Sequence, residues 1–237
     1  MREIQLFGLP YAGGSSFMYE PLRKSLSEQI KLIPLEYAGH GERMQEELYP
    51  SFHDMVLDMT NQIESRLTSD PFAIFGYSMG SLAAYEITQE LIRRTMRNPL
   101  QLFVAAHAAP HLHQASEPVY EAVAARFKAN MLKMGMSDLD VMNNVELLEC
   151  FVPIFYHDLK LYAGYQYCES KKPLDVNLTV LYSDEENRHN QIFEWSAYTS
   201  KACLYQRMKG NHFFIHSHME EMVQVINQSL MGELIHH

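Results

Sequence analysis

Gly76-Tyr77-Ser78-Met79-Gly80 is the segment of this 237-residue chain whose residue types and spacing point most directly to chemistry. It follows an apolar run at 72–75 and precedes a helical pattern that starts at Met79. A G-x-S-x-G sequence between a strand and a helix is a nucleophile elbow, a sharp turn that lifts a serine hydroxyl off the end of a sheet. The turn strains the serine, and side chains two positions away on either side would collide, so Gly76 and Gly80 are what the geometry requires. The following helix points its amino terminus at the same spot, where the Met79 N–H can stabilise a developing oxyanion. The chemistry implied is nucleophilic attack on a carbonyl carbon.

A serine hydroxyl needs a base, and the base needs an acid to orient it, in the chain order Ser…Asp/Glu…His. Among twelve histidines, His212 in Lys209-Gly210-Asn211-His212-Phe213-Phe214 falls just after the last strand-like run and before the last helix. The acid is expected after the penultimate strand, where Ser183-Asp184-Glu185-Glu186-Asn187 offers three carboxylates. Asp184 leaves the strand first and has the shorter side chain, so it is favoured, with Glu186 as the alternative. His111 with His113, and His216 with His218, have no carboxylate or cysteine partner nearby in sequence, and no metal site is expected from them. His40, His53, His157 and His189 read as surface or hydrogen-bonded residues. The paired glycines of Leu9-Pro10-Tyr11-Ala12-Gly13-Gly14-Ser15 let backbone approach a ligand, and an N–H of that loop can complete an oxyanion hole.

The elements that must position these groups are short apolar runs at 4–8, 31–36, 72–75, 101–106, 178–182 and 203–208. Continuous apolar strands suit a parallel sheet covered on both faces. Phe52, Met55, Val56, Met59, Ile63 and Leu67 recur at helical spacing, with Ser51 and Asp54 as a capping box. Further helices are expected over 79–94 and 219–234. The alternation predicts an α/β fold with a mostly parallel, doubly wound sheet, formed by residues 1–237 as one domain. The stretch at about 115–172 has no good strand, carries Met131, Met134, Met136 and Met142, and reads as a helical lid over one end of the sheet.

Composition narrows the function classes. A formal charge of −10, from 19 basic and 29 acidic residues, gives no electrostatic footprint for nucleic acid. No apolar run is long enough for a transmembrane helix, and the N-terminus lacks a signal-peptide core. Cys150, Cys168 and Cys203, an odd number at unrelated spacings, fit reduced thiols in a cytoplasmic protein. His236-His237 is either native or the remnant of a purification tag.

Along nearly its whole length the sequence resembles the type II (external, editing) thioesterases of nonribosomal peptide and polyketide synthases, which have an α/β-hydrolase fold. Residues 9–15 resemble that family's F-P-H-A-G-G-S, and Leu35-Glu-Tyr-Ala-Gly-His-Gly-Glu-Arg43 its P-G-R-G-x-R segment. Residues 75–86 are close to F-G-H-S-M-G-A-x-x-A-x-E, and Gly210-Asn-His-Phe-Phe matches G-G-H-F-F. Pro153-Ile-Phe-Tyr-His-Asp158 sits where the family has a lid segment ending in an R-A-D-like sequence. A member from the colibactin pathway is among the candidates. The resemblance implies Ser78 as nucleophile, His212 as base, Asp184 as acid by its spacing from Trp195, and oxyanion N–H groups from Ala12 and Met79. It implies hydrolysis of acyl thioesters on the phosphopantetheine arm of carrier-protein partners by a monomer with no cofactor of its own. Tyr11 and Tyr77 stand where the family has histidines, and are expected to change the polarity of the pocket. The competing readings are a small-ester carboxylesterase, a non-catalytic carrier-protein-binding module, or a metal-dependent hydrolase using the histidine pairs.

Overall fold

All six apolar runs form strands. In the computed structural model, which describes residues 3–114, 116–137, 145–169, 172–186 and 188–235, they are β1 (Ile4–Leu9), β2 (Ile30–Pro34), β3 (Phe72–Tyr77), β4 (Gln101–Ala105), β5 (Asn177–Tyr182) and β6 (Cys203–Arg207). They lie in the order β2-β1-β3-β4-β5-β6, and every neighbouring pair is parallel. Every position of β1, β3 and β4 is buried, which is why these strands read as near-continuous apolar runs, with Gln5 and Gln101 the polar exceptions, rather than alternating ones. β6 lies at the sheet edge and is only half buried.

Successive residues feed opposite faces. Phe7, Ile74, Leu102 and Val180 pack under α2 (Phe52–Arg66) and α3 (Met79–Thr95). Leu6, Phe75, Phe103 and Leu181 pack under Leu22 of α1 (Glu20–Arg23) and a later helix at Met219–Ile235. Ser51 caps α2 by accepting the Asp54 N–H at 3.1 Å, as its sequence signature predicts.

Two helices, α4 (Tyr120–Lys133) and α5 (Val145–Ala163), occupy the connection from β4 to β5. They share a small apolar cluster of Val123, Phe127, Val152, Phe155 and Leu159, against which Ala12 of the loop after β1 also packs. Met142 and the pair His236-His237 lie outside the described residues. The last helices are α6 (Phe214–Ser217) and α7 (Met219–Ile235). Among the described residues no helix is long and apolar enough to cross a membrane. Because all six strands point one way, the loops after β1, β3, β4, β5 and β6 converge on a single edge of the sheet, where open α/β folds bind their ligands.

Candidate active site

The elbow is as tight as its sequence requires. Ser78, between β3 and α3, adopts φ 54° and ψ −118°, a region that side-chain-bearing residues seldom visit. A Cβ at Gly76 would stand 2.1 Å from the Gly80 carbonyl oxygen, and one at Gly80 would stand 2.4 Å from that of Leu9. The strained turn is held from below: the Ser78 N–H donates to Ala105 O at 2.8 Å, and Ser81 Oγ accepts the Ala105 N–H at 2.9 Å.

His212, on the loop after β6, brings Nε2 to 3.0 Å from Ser78 Oγ. Its main chain is fixed from β3, because the buried Tyr77 hydroxyl donates to His212 O at 2.7 Å and accepts the Ile215 N–H at 3.2 Å. Tyr77 is therefore a backbone clamp, and Tyr11 bonds His216 Nε2 at 3.1 Å through its hydroxyl.

The group that orients His212 is Glu186, which corrects the preference for Asp184. His212 Nδ1 lies 2.8 Å from Glu186 Oε1. Glu186 Oε2 accepts both the N–H and the hydroxyl of Ser183, at 2.8 and 2.7 Å. Only 7% of the Glu186 side chain is exposed. Burial raises its pKa, but the donors from His212 and Ser183 outweigh burial and hold the carboxyl below its ordinary range. Asp184 is 69% exposed and forms a fork with Arg207, whose Nε donates at 2.8 Å. That fork, through the Arg207 hydrogen bond, lowers the Asp184 pKa. Two features explain the reversal. The register of β5 and β6 pairs Tyr182 with Arg207, so the first acid off β5 meets that guanidinium. The chain then turns, with the Glu186 N–H on Ser183 O at 3.3 Å, and the third acid swings inward. Glu185 is spoken for as well, by Lys133 of α4 and the His212 N–H, each at 3.2 Å. Trp195, used to count back to Asp184, is buried and donates from Nε1 to His107 O at 2.8 Å.

Ser78, Met79, Ala12 and His212 face a cavity of about 680 Å³, roofed by Arg126 of α4 and by Phe155, Leu159 and Tyr162 of α5. As the first residue of α3, Met79 has an N–H with no partner inside the helix. His107 lines the same cavity; burial pushes its pKa down to about 4, so it is neutral there, with Nε2 2.9 Å from the Tyr162 hydroxyl. The histidine pairs do not converge. His111 Nδ1 bonds Tyr198, His113 stacks parallel to His107, and His218 Nδ1 bonds Ser217. Among the described residues no three His, Cys, Asp or Glu side chains are grouped as a metal ion would need. His157 bonds Tyr49 O, and His40 is buried against Asp158. Sequence reasoning placed Asp158 and Glu36 inside family-like segments and noted Tyr77, but gave none of the three its role, because each bonds backbone distant in sequence.

A family model described as the thioesterase domain matches residues 4–230. Linear gramicidin dehydrogenase LgrE of Brevibacillus parabrevis is 28% identical, over 98% of this chain and 90% of its own length. The crystal structure of ClbQ, from the colibactin nonribosomal peptide/polyketide pathway, superposes with a TM-score of 0.86 at 30% identity, covering 99% of this chain and all of that one. BorB, the type II thioesterase of the borrelidin cluster, shares the fold with a TM-score of 0.84 at 22% identity, over 96% of this chain and 93% of its own. The chain belongs to the thioesterase family, whose members hydrolyse thioesters, and within it is similar to the type II thioesterases of nonribosomal peptide and polyketide pathways.

Proposed function

We propose that this protein releases acyl groups from the phosphopantetheine arm of synthase carrier proteins, as a cytoplasmic monomer, through Ser78, His212 and Glu186. The observation that carries the reading is the continuous relay Glu186 Oε1–His212 Nδ1 at 2.8 Å and His212 Nε2–Ser78 Oγ at 3.0 Å, set in the floor of a roofed cavity. Nδ1–H donates to Glu186, which leaves Nε2 free to accept the Ser78 proton. Ser78 Oγ then attacks the thioester carbonyl carbon, and the oxygen takes up negative charge facing the N–H groups of Met79 and Ala12. The C–S bond breaks as the imidazolium at His212 returns its proton to the departing thiolate. Water, deprotonated by the same Nε2, attacks the acyl-serine ester; the bond from the carbonyl carbon to Oγ breaks, the proton passes from His212 to Ser78 Oγ, and the carboxylic acid is freed. The long pantetheine arm would reach Ser78 beneath α4 and α5; it comes with the partner, and the chain's own residues supply every proton transfer.

The test is mass spectrometry of carrier proteins loaded with varied acyl groups, before and after addition of wild type or Ser78→Ala. Release by wild type alone is expected. Hydrolysis of free short esters with carrier-bound thioesters left intact would make the protein a carboxylesterase instead.

A further inference from the structure

The loop that carries Ala12 is held at two points by buried carboxylates from elsewhere in the chain. Ser16 donates its N–H and hydroxyl to Glu36, at 3.0 and 2.7 Å. Gly13, at φ +72°, donates its N–H to Asp158 Oδ2 of α5 at 2.6 Å. The same Oδ2 lies 2.9 Å from His40 Nε2, and His40 Nδ1 lies 3.0 Å from Ala38 O. Each ring nitrogen of His40 thus faces an oxygen acceptor, an arrangement that only the imidazolium satisfies with a donor on both sides. The His40 and Asp158 side chains are each 3% exposed.

A buried ion pair is weak evidence of stability in itself, because desolvation offsets most of the attraction. Its value here is where it points. Ala12 lines the Ser78 cavity, while the Gly13 N–H beside it is taken by Asp158. Fixing the Gly13 N–H sets the plane of the peptide that follows Ala12. The turn closed by the Gly14 N–H on Tyr11 O, at 2.9 Å, sets the plane on the other side. Little freedom then remains for the direction of the Ala12 N–H. Phe155, also of α5, closes the last gap: a Cβ at Gly13 would stand 2.9 Å from its ring.

We propose that Asp158 is a positioning residue for the oxyanion hole, so that α5 holds the Ala12 N–H in place as well as roofing the cavity. The inference rests on the proposed reading of Ser78 and Ala12. Loss of an oxyanion donor outright costs about 10²–10³ in kcat, and loosening one costs less. Asp158→Ala is expected to lower kcat about 10- to 100-fold per site titrated by a fluorophosphonate at completion, with KM for an acyl-carrier substrate within about twofold. Affinity for a boronic acid, whose serine adduct places an oxygen in the same hole, should fall in parallel with kcat. Asp158→Asn can keep an amide oxygen at the place of Oδ2, accepting from both the Gly13 N–H and a His40 Nε2–H, so it should restore most of the rate. A residue that only packs the lid would change thermal stability, or KM, without moving kcat and boronate affinity together. If Asp158→Ala does not fold, Asp158→Ser serves, because its hydroxyl stops short of Gly13 but remains polar beside His40. Wild-type kcat and boronate affinity in the folded variant would overturn the proposal while leaving Ser78 as the labelled nucleophile. A wild-type protein that takes no fluorophosphonate at Ser78 would overturn the underlying reading, and the proposal with it.

Discussion

Glu186 reaches His212 because the turn after β5 hands each of its three acids to a different partner: Asp184 to Arg207, Glu185 to Lys133 and Glu186 to His212. The consequence for activity is sharp. Glu186→Gln should lower kcat by on the order of 10⁴, because the imidazole loses the acceptor that fixes its tautomer. Asp184→Asn should stay within about twofold of wild type, since an exposed ion pair contributes little. Steady-state kinetics on one acyl-carrier substrate distinguish the two; equal losses would mean that the turn, rather than Glu186, is what His212 depends on. Ser78 and His212 were legible in the sequence because each sits in a motif with backbone requirements of its own. The acid was not, because the choice depends on a turn and on a guanidinium 23 residues downstream that only strand register brings alongside.

At the scale of elements, the strands were legible as apolar runs and the helices as periodic stripes, since burial dictates both. Close approach of backbone to backbone was legible only at the elbow. Gly76→Ala should destabilise the fold by at least about 3 kcal/mol, because its Cβ would meet main chain of α3 that cannot yield without moving the elbow. Gly232→Ala, in α7 with open space around it, should instead gain up to about 1 kcal/mol from helix propensity. Urea denaturation of both variants checks the contrast. The pair that ties α5 to the first loop has a pH dependence of opposite sense to a carboxylate's. Burial lowers the His40 pKa, but Asp158, with a smaller contribution from Glu36, outweighs it and raises the value; the Tyr37 ring packs alongside. A raised histidine pKa contributes stability that is fully present below about 6.5 and is lost as pH rises through the folded-state value. Wild type should therefore lose part of its thermal stability over that interval, and His40→Gln should lose less; parallel profiles would remove the imidazolium from the account.

For the whole molecule, a formal charge of −10 gives no long-range attraction to the carrier proteins that the proposed function implies, if these are acidic as such domains commonly are. On the proposed function, docking falls to contacts near the roof of the cavity, and Met131, packed at the edge of the cluster shared by α4 and α5, is placed to affect it. Met131→Glu should raise KM for carrier-bound substrates severalfold while fluorophosphonate labelling of Ser78 continues, and turnover of the wild type should vary little between low and moderate salt. Unchanged KM, or a steep fall with salt, would place docking elsewhere. The sequence marked this region as helical and rich in methionine, yet gave no sign that it reaches back to the first loop, because Gly13 and Asp158 are 145 residues apart.

That reach has a meaning for anyone who would re-engineer the chain. A parallel pair such as β4 and β5 needs a long crossover whatever its content, so the segment holding α4 and α5 looks like an interchangeable cassette, one that could be traded between relatives to alter which acyl groups are accepted. It is not freely interchangeable, because Lys133, His157, Asp158 and Tyr162 within it bond Glu185, Tyr49 O, the Gly13 N–H and His107 of the main body. On the positioning role proposed for Asp158, a transplanted lid that brings no acceptor to that place, matched to whatever stands at position 40 of its host, is expected to fold and bind but turn over about 10- to 100-fold more slowly.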